Sequence, residues 1–135
     1  MSAPAGVQSP MNPARILVVD DEPFILRSLT YVLEREGFRV LTACDGEEAL
    51  RVARRELPDL VFLDVMMPKK NGFDVLAEMR AEPELAVMRV ILLTAKGQDS
   101  DRQRGFELGC DDFMSKPFSP MRVVELAKQM LLPTP

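Results

Sequence analysis

Leu60-Val61-Phe62-Leu63-Asp64 is four consecutive apolar residues closed by a carboxylate. A run this short, with no polar alternation, suits a strand buried on both faces, as in a parallel sheet covered by helices on either side. Two more runs share the form. Ile16-Leu17-Val18-Val19 stops at Asp20-Asp21, and Val90-Ile91-Leu92-Leu93 stops at Thr94. Arg39–Ala43 and residues 112–114 are weaker strand candidates. The gaps read as helices. Pro23 suits the first turn of a helix burying Ile25, Leu29, Val32 and Leu33, with Gly37 as its C-terminal cap. Asp45 and Glu48 form a capping-box pattern for residues 47–56, which would bury Leu50 and Ala53. Residues 72–80 would bury Leu76 and Met79. Residues 99–108 are polar and weakly amphipathic, with Gly109 as the stop, and Ser119-Pro120 opens a helix burying Val123, Leu126, Ala127 and Met130. Five βα units in a row predict an α/β fold, a (βα)5 doubly wound sandwich with helices on both faces of a parallel sheet.

The 135 residues, at 15.2 kDa, suit one domain with a substantial core. Residues 1–13 are rich in Pro, Ala, Gly and Ser and read as a disordered lead-in; residues 14–132 form the domain and 133–135 a tail. The lead-in lacks the basic and apolar regions of a signal peptide, and no apolar stretch approaches the roughly 18 residues of a membrane span. A cytoplasmic protein without membrane contact is expected. Net charge is −4, with no basic run, which disfavours nucleic-acid binding by this domain. There is no histidine, and Cys44 and Cys110 cannot supply a four-ligand zinc site. Both cysteines are expected to pack as small hydrophobes, with a bridge between them left open.

In a parallel sheet all strand C-termini lie along one edge, where ligands bind. That edge would gather Asp20, Asp21, Asp64, Thr94 and Lys116. Carboxylates so crowded must take up a proton or be neutralised by a cation. All-oxygen ligands favour Mg²⁺, with Mn²⁺ as an alternative. Such a site suits phosphoryl transfer, with Asp64, on the central strand, as nucleophile. Lys116 would pair with a phosphoryl oxygen, and Thr94 would donate a hydrogen bond to another. Taken singly, each residue has a plainer reading: acidic turn residues, a strand threonine, a solvated lysine. The combination in this order is what carries the chemistry.

The pattern resembles the receiver domain of two-component response regulators. The matching residues are Val18-Val19-Asp20-Asp21-Glu22-Pro23, Leu63-Asp64-Val65-Met66-Met67-Pro68, Asn71-Gly72, Leu93-Thr94-Ala95-Lys96, Gly109-Cys110-Asp111-Asp112-Phe113 and Lys116-Pro117-Phe118. Asp64 lies 44 residues beyond Asp20, Thr94 lies 30 beyond Asp64, and Lys116 lies 52 beyond Asp64. The resemblance implies a flavodoxin-like five-stranded sheet in the order 2-1-3-4-5. It implies that Asp64 accepts a phosphoryl group from a sensor histidine kinase or histidine phosphotransfer protein. Mg²⁺ would be held by Asp21, Asp64 and the backbone carbonyl of Met66, with Asp20 helping directly or through water. Lys116 and Thr94 would contact the phosphoryl group, small Ala95 would leave it open, and Met66 and Lys96 would flank it. Thr94 and Phe113 would form the switch pair, Phe113 lacking the hydroxyl of the more usual tyrosine. Lys116-Pro117 matches a bond that is typically cis.

The same resemblance places an output surface on the fourth helix, fifth strand and fifth helix, residues 99–132, for a downstream partner, an output domain or a homodimer formed on phosphorylation. The first helix, with Arg27, Tyr31 and Arg35, becomes the expected kinase-docking face. Lys69 and Lys70 read as a solvated loop that could also steer an anionic donor. The wording around Met66-Met67-Pro68 and Thr94-Ala95-Lys96 resembles receivers joined to winged-helix transcription factors, although stand-alone receivers share it. Catalysis is expected to extend only to the domain's own aspartyl phosphate, so it is not a turnover enzyme. Three other readings compete. A haloacid-dehalogenase-type phosphatase would carry an acid where Met66 stands. A flavodoxin-like cofactor binder would need a phosphate cradle in the first loop. A pseudo-receiver that binds without being phosphorylated would usually have lost one of the site residues.

Overall fold

The computed structural model describes residues 13–95 and 99–132. The expected lead-in, apart from Pro13, and the tail lie outside the described residues. Strands and helices alternate: β1 (Arg15–Val19), α1 (Pro23–Arg35), β2 (Arg39–Ala43), α2 (Gly46–Glu56), β3 (Leu60–Asp64), α3 (Gly72–Ala81), β4 (Arg89–Ala95), α4 (Asp99–Leu108), β5 (Asp112–Lys116) and α5 (Pro120–Leu131). Every pairing is parallel, and the sheet order is β2-β1-β3-β4-β5. The reversal of strand order beside β1 and β3 opens a crevice at their carboxyl ends.

Strand alternation divides the core in two. Leu17, Val61, Leu63 and Leu92 face α2 and α3 through Leu50, Leu76 and Met79. Ile16, Phe62, Ile91 and Leu93 face α1 and α5 through Leu29, Leu33, Val123 and Leu126. Burying each large side chain contributes about 1.5–3 kcal/mol. This explains why β3, in the middle, is apolar until its last residue.

Helix ends follow local chemistry. Gly37, at φ 93°, donates to Glu34 O, and Phe38 donates to Leu33 O. This pair of bonds is a Schellman close that only a left-handed residue allows, and Phe38 packs beside Leu33. The Asp45 carboxylate caps Glu48 N at 2.8 Å, but Glu48 reaches back to Cys44 N rather than to Asp45 N. At the edge opposite the crevice, Arg80 of α3 donates to Gly109 O (2.9 Å), Ala86 O (3.0 Å), Met88 O (2.7 Å) and Asp111 Oδ2 (3.1 Å). Asp111 Oδ2 also accepts from Val90 N, so one guanidinium ties α3 to the starts of β4 and β5.

Some expectations need correction. Strand β4 runs on to Ala95 and β5 to Lys116, so Thr94 and Lys116 lie within strands. Both strands are paired over these residues, and β-pairing does not require the apolar run to continue. Ile25, Val32 and Met130 are only partly buried. Cys110 is buried, but Cys44 is exposed and both are free, so no bridge forms. Cys44 falls in the turn from β2 to α2, where its side chain has no core to enter, and the Glu48 carboxylate beside it pushes its thiol up.

Candidate functional site

Strand β1 ends at Val19, and Asp20 continues its line with its amide bonded to Ala43 O. The Asp20 side chain is fully buried at 0% exposure, and its Oδ1 accepts from Glu22 N at 2.9 Å. That bond turns the chain into α1 and leaves Asp21 exposed at the crevice mouth. Asp64 closes β3 at 4% exposure, and its Oδ1 accepts from Met66 N at 3.2 Å. Carboxylate atoms of Asp20, Asp21 and Asp64 lie within 4.8 Å of one another.

Close packing holds Asp64. Gly72 begins α3, and a Cβ there would lie 2.4 Å from the backbone oxygen of Asp64. The amide of Gly72 donates to Val65 O, and Val65 N donates to Leu93 O. The chain after Asp64 is thereby pinned between β4 and α3.

Lys116 reaches the cluster from β5. Its Nζ lies 2.8 Å from Asp20 Oδ2, 3.3 Å from Glu22 Oε1 and 3.4 Å from Asp64 Oδ2. The Asp20 contact is an ion pair without hydrogen-bond alignment, so Asp20 Oδ2 has no directed donor. Burial taken alone would lower the Lys116 ammonium. The contact with Asp20 and the charges of Asp64 and Asp20 outweigh it and hold the ammonium above the ordinary lysine value. For Asp64 the balance runs the other way. Burial first, then the charge of Asp20, pushes its carboxyl up to about 6, and Lys116 and the Met66 amide offset only part of this. The Lys116-Pro117 bond is cis, as expected.

Thr94 is 1% exposed and its Oγ1 has no hydrogen-bond partner. A buried hydroxyl without a partner costs about 1–3 kcal/mol. By alternation Thr94 shares the sheet face of Leu92, and Phe113 lies directly across from Leu92 in β5. The expected switch pair therefore lies on one face. Phe113 is half-buried, edge-on to Phe106 of α4 at 6.2 Å, with the Arg102 guanidinium 4.6 Å above its ring. Ala95 and the exposed Met66 line a groove of about 740 Å³ beside Asp64, whose other wall includes Phe24, Ile25 and Phe118. Lys96 lies outside the described residues. Lys69 pairs with Asp45 at 3.8 Å and Lys70 with Glu78, so both are engaged within the chain.

The expected set Asp20, Asp21, Asp64 and Lys116 is thus brought together. Glu22 was missed as a member. Its signal was available as the third acid of Asp20-Asp21-Glu22, but nothing local announces contact with a residue 94 positions away. The groove lining was missed as well; Phe24, directly after Pro23, was its trace in the sequence. The donor set fits a hard divalent cation. It is all oxygen, it is crowded, and it includes a buried carboxylate oxygen lacking a directed donor.

A family model described as the response regulator receiver domain matches residues 16–128. The chain belongs to the response-regulator receiver family. Among curated relatives of this family, it is 49% identical over 117 residues to the alkaline phosphatase synthesis transcriptional regulatory protein PhoP of Bacillus subtilis. That match covers 87% of this chain and 48% of the relative, so the chain spans about half the length of the curated relatives it matches. Among solved receivers, the chemotaxis response regulator CheY4 of Vibrio cholerae superposes with a TM-score of 0.84 at 29% identity, covering 89% of this chain and 100% of that one. The receiver domain of a sensor histidine kinase from Pseudomonas aeruginosa, with magnesium in its active-site cleft, gives a TM-score of 0.80 at 28% identity, covering 87% and 97%. These receivers share the expected flavodoxin-like fold. Among the described residues of this receiver, no helix is long and apolar enough to cross a membrane.

Proposed function

We propose that this receiver takes a phosphoryl group onto Asp64 from a phosphohistidine of a sensor kinase or phosphotransfer protein, and thereby switches the α4-β5-α5 surface. The observation that carries the reading is the juxtaposition of Asp20, Asp21 and Asp64, within 4.8 Å of one another, with the Lys116 ammonium 3.4 Å from the acceptor.

A carboxylate oxygen of Asp64 attacks phosphorus. The donor's P–N bond breaks, its electron pair stays on the departing imidazole nitrogen, and a new O–P bond forms. Lys116 pairs with the oxygens of the transferred group, and the Thr94 hydroxyl, free of any partner, donates to another. Asp20, Asp21 and Asp64 would hold Mg²⁺ or Mn²⁺, which when bound supplies charge neutralisation at the phosphoryl oxygens. The Pseudomonas receiver with magnesium in its cleft supports this choice of ion. As Thr94 engages the phosphoryl group, space opens on its side of the sheet for Phe113, loosening the ring from Phe106 and Arg102.

Catalysis is confined to the domain's own aspartyl phosphate. The downstream effect is on a protein partner, an output domain or a second copy of the chain. The curated relatives, about twice as long, include transcriptional regulators, which favours control of transcription as the output. The groove beside Asp64 suits a partner helix presenting its histidine.

The test is intact mass after incubation with acetyl phosphate, with and without Mg²⁺, for wild type and Asp64→Asn. One phosphoryl group gained only by wild type and only with the metal is expected. No gain by folded, metal-binding protein would leave a pseudo-receiver that acts by binding alone.

A further inference from the structure

Glu22 occupies the N-cap position of α1, yet its side chain makes no cap hydrogen bond. Such positions ordinarily carry Ser, Thr, Asp or Asn, whose short side chains reach the first free amides. Here Pro23 follows at the first helical position and removes one of those amides. The Glu22 carboxylate turns instead to Lys116 Nζ, at 3.3 Å. Its backbone is fixed in that posture, because Glu22 N donates to Asp20 Oδ1 while Lys116 pairs with Asp20 Oδ2. One buried carboxylate thus sets both ends of the Glu22–Lys116 contact. Glu22 is 60% exposed on its side chain, whereas Asp20 and Asp64 lie beneath the ammonium.

We infer that Glu22 is a positioning residue that draws the Lys116 ammonium toward the crevice mouth, dividing its charge between solvent-side Glu22 and the buried Asp20–Asp64 pair. The phosphoryl part of this inference rests on the function proposed above; the metal part stands on the acidic cluster alone. Without the Glu22 charge, the ammonium settles further onto Asp20 and Asp64. There it competes harder with a divalent cation. Once Asp64 carries a phosphoryl group, the same ammonium is no longer shared and holds that group longer. Exposed ion pairs of this kind shift an equilibrium by about fivefold at most.

The experiment is a double-mutant cycle read by Mg²⁺ affinity from calorimetry, joined to a phosphoryl-lifetime measurement. Glu22→Gln is expected to weaken Mg²⁺ binding about 2–5-fold and to lengthen the aspartyl-phosphate lifetime by a similar factor. In a Lys116→Gln background the effect of Glu22→Gln on Mg²⁺ should vanish, because it acts through the ammonium. Glu125→Gln, which removes an equal charge from α5, controls for net charge and should alter neither quantity. Unchanged Mg²⁺ affinity or lifetime in Glu22→Gln, or an equal loss of affinity with and without Lys116, overturns the inference. If wild type accepts no phosphoryl group, the phosphorylation reading fails by itself, and the Mg²⁺ cycle still decides the role of Glu22.

Discussion

The Lys116 ammonium lies 2.8 Å from Asp20 Oδ2 and 3.4 Å from Asp64 Oδ2, so the cation is held nearer to Asp20 than to Asp64. Asp20 is the more deeply buried of the two and has no directed hydrogen-bond donor at that oxygen. Lys116 therefore neutralises buried carboxylates of the folded domain in its own right. Lys116→Ala should destabilise the metal-free protein by about 1–3 kcal/mol, the cost of leaving a buried charged group short of its partner. Mg²⁺ should restore much of that loss. Urea denaturation in EDTA and in Mg²⁺ reads both effects; equal stability of variant and wild type in EDTA would remove lysine from the balance.

The raised Asp64 carboxyl makes stability depend on pH in a definite direction. The folded domain keeps this proton up to about pH 6, whereas an ordinary aspartate loses it near 3.8. Between those values the native state binds more protons than the unfolded chain, so the contribution is fully present below 3.8 and is lost as pH rises through 6. The loss is on the order of 3 kcal/mol. In EDTA, wild type should weaken across this window and Asp64→Asn should lack that component, leaving the variant more stable at pH 7. A variant with the same pH slope as wild type would show that another group sets it.

The unpartnered Thr94 hydroxyl gives a prediction of opposite sign to an ordinary core mutation. Thr94→Val keeps the shape and removes a polar group that nothing satisfies. The resting domain should gain about 1 kcal/mol, while the difference in stability between phosphorylated and resting protein shrinks. Chemical denaturation of both forms measures this. Destabilisation of the resting form would mean that the hydroxyl is satisfied in solution.

Gly72 is packed against the backbone of Asp64. In Gly72→Ala the new methyl would meet Asp64 O at 2.4 Å, so the strand end or the start of α3 must shift. A cost of about 1–3 kcal/mol is expected, with slower phosphorylation by acetyl phosphate because Asp64 is displaced. Unaltered stability and rate would show that this junction yields freely.

The exposed aromatic residues of α1 separate two kinds of donor. Phe24 and Tyr31 are exposed on α1, and Arg35 stacks on the Tyr31 ring at 5.6 Å. Phe24→Ser and Tyr31→Ser should slow transfer from a phosphohistidine protein at least about tenfold, equivalent to roughly 1.4 kcal/mol of docking energy. Transfer from acetyl phosphate should be unaffected. Equal losses with both donors would place the defect in the chemistry instead.

Much of this architecture was legible because a buried parallel strand writes itself as an unbroken apolar run, and the residue that breaks the run marks the functional edge. Asp20 and Asp64 were found in that way, and Gly37 and Gly109 as helix stops followed from glycine's ease in the left-handed region. What stayed hidden depends on direction and distance. Cys44 follows buried Ala43 and reads as core, but the turn into α2 faces it outward. Glu22 touches Lys116 only because the lysine side chain reaches back from the edge strand β5 over the carboxyl ends of the sheet. The stacking of Arg102 on Phe113 joins a helix and a strand whose separate periodicities say nothing of rotamers. The direction of the Asp64 carboxyl's shift was partly legible, since crowded carboxylates must raise a proton affinity somewhere, but only burial assigns it to Asp64.

Arg80 gives the molecule a mechanical asymmetry. Its bond to Gly109 O anchors the far end of α4, away from the crevice, to α3. A helix of ten residues is about 15 Å long. Acting as a lever with its fulcrum at Gly109, α4 would turn a tilt of about 6° into a displacement of roughly 1.5 Å at Asp99. A tilt of α4 about that anchor is thus largest at the Asp99 end and vanishes at the opposite edge.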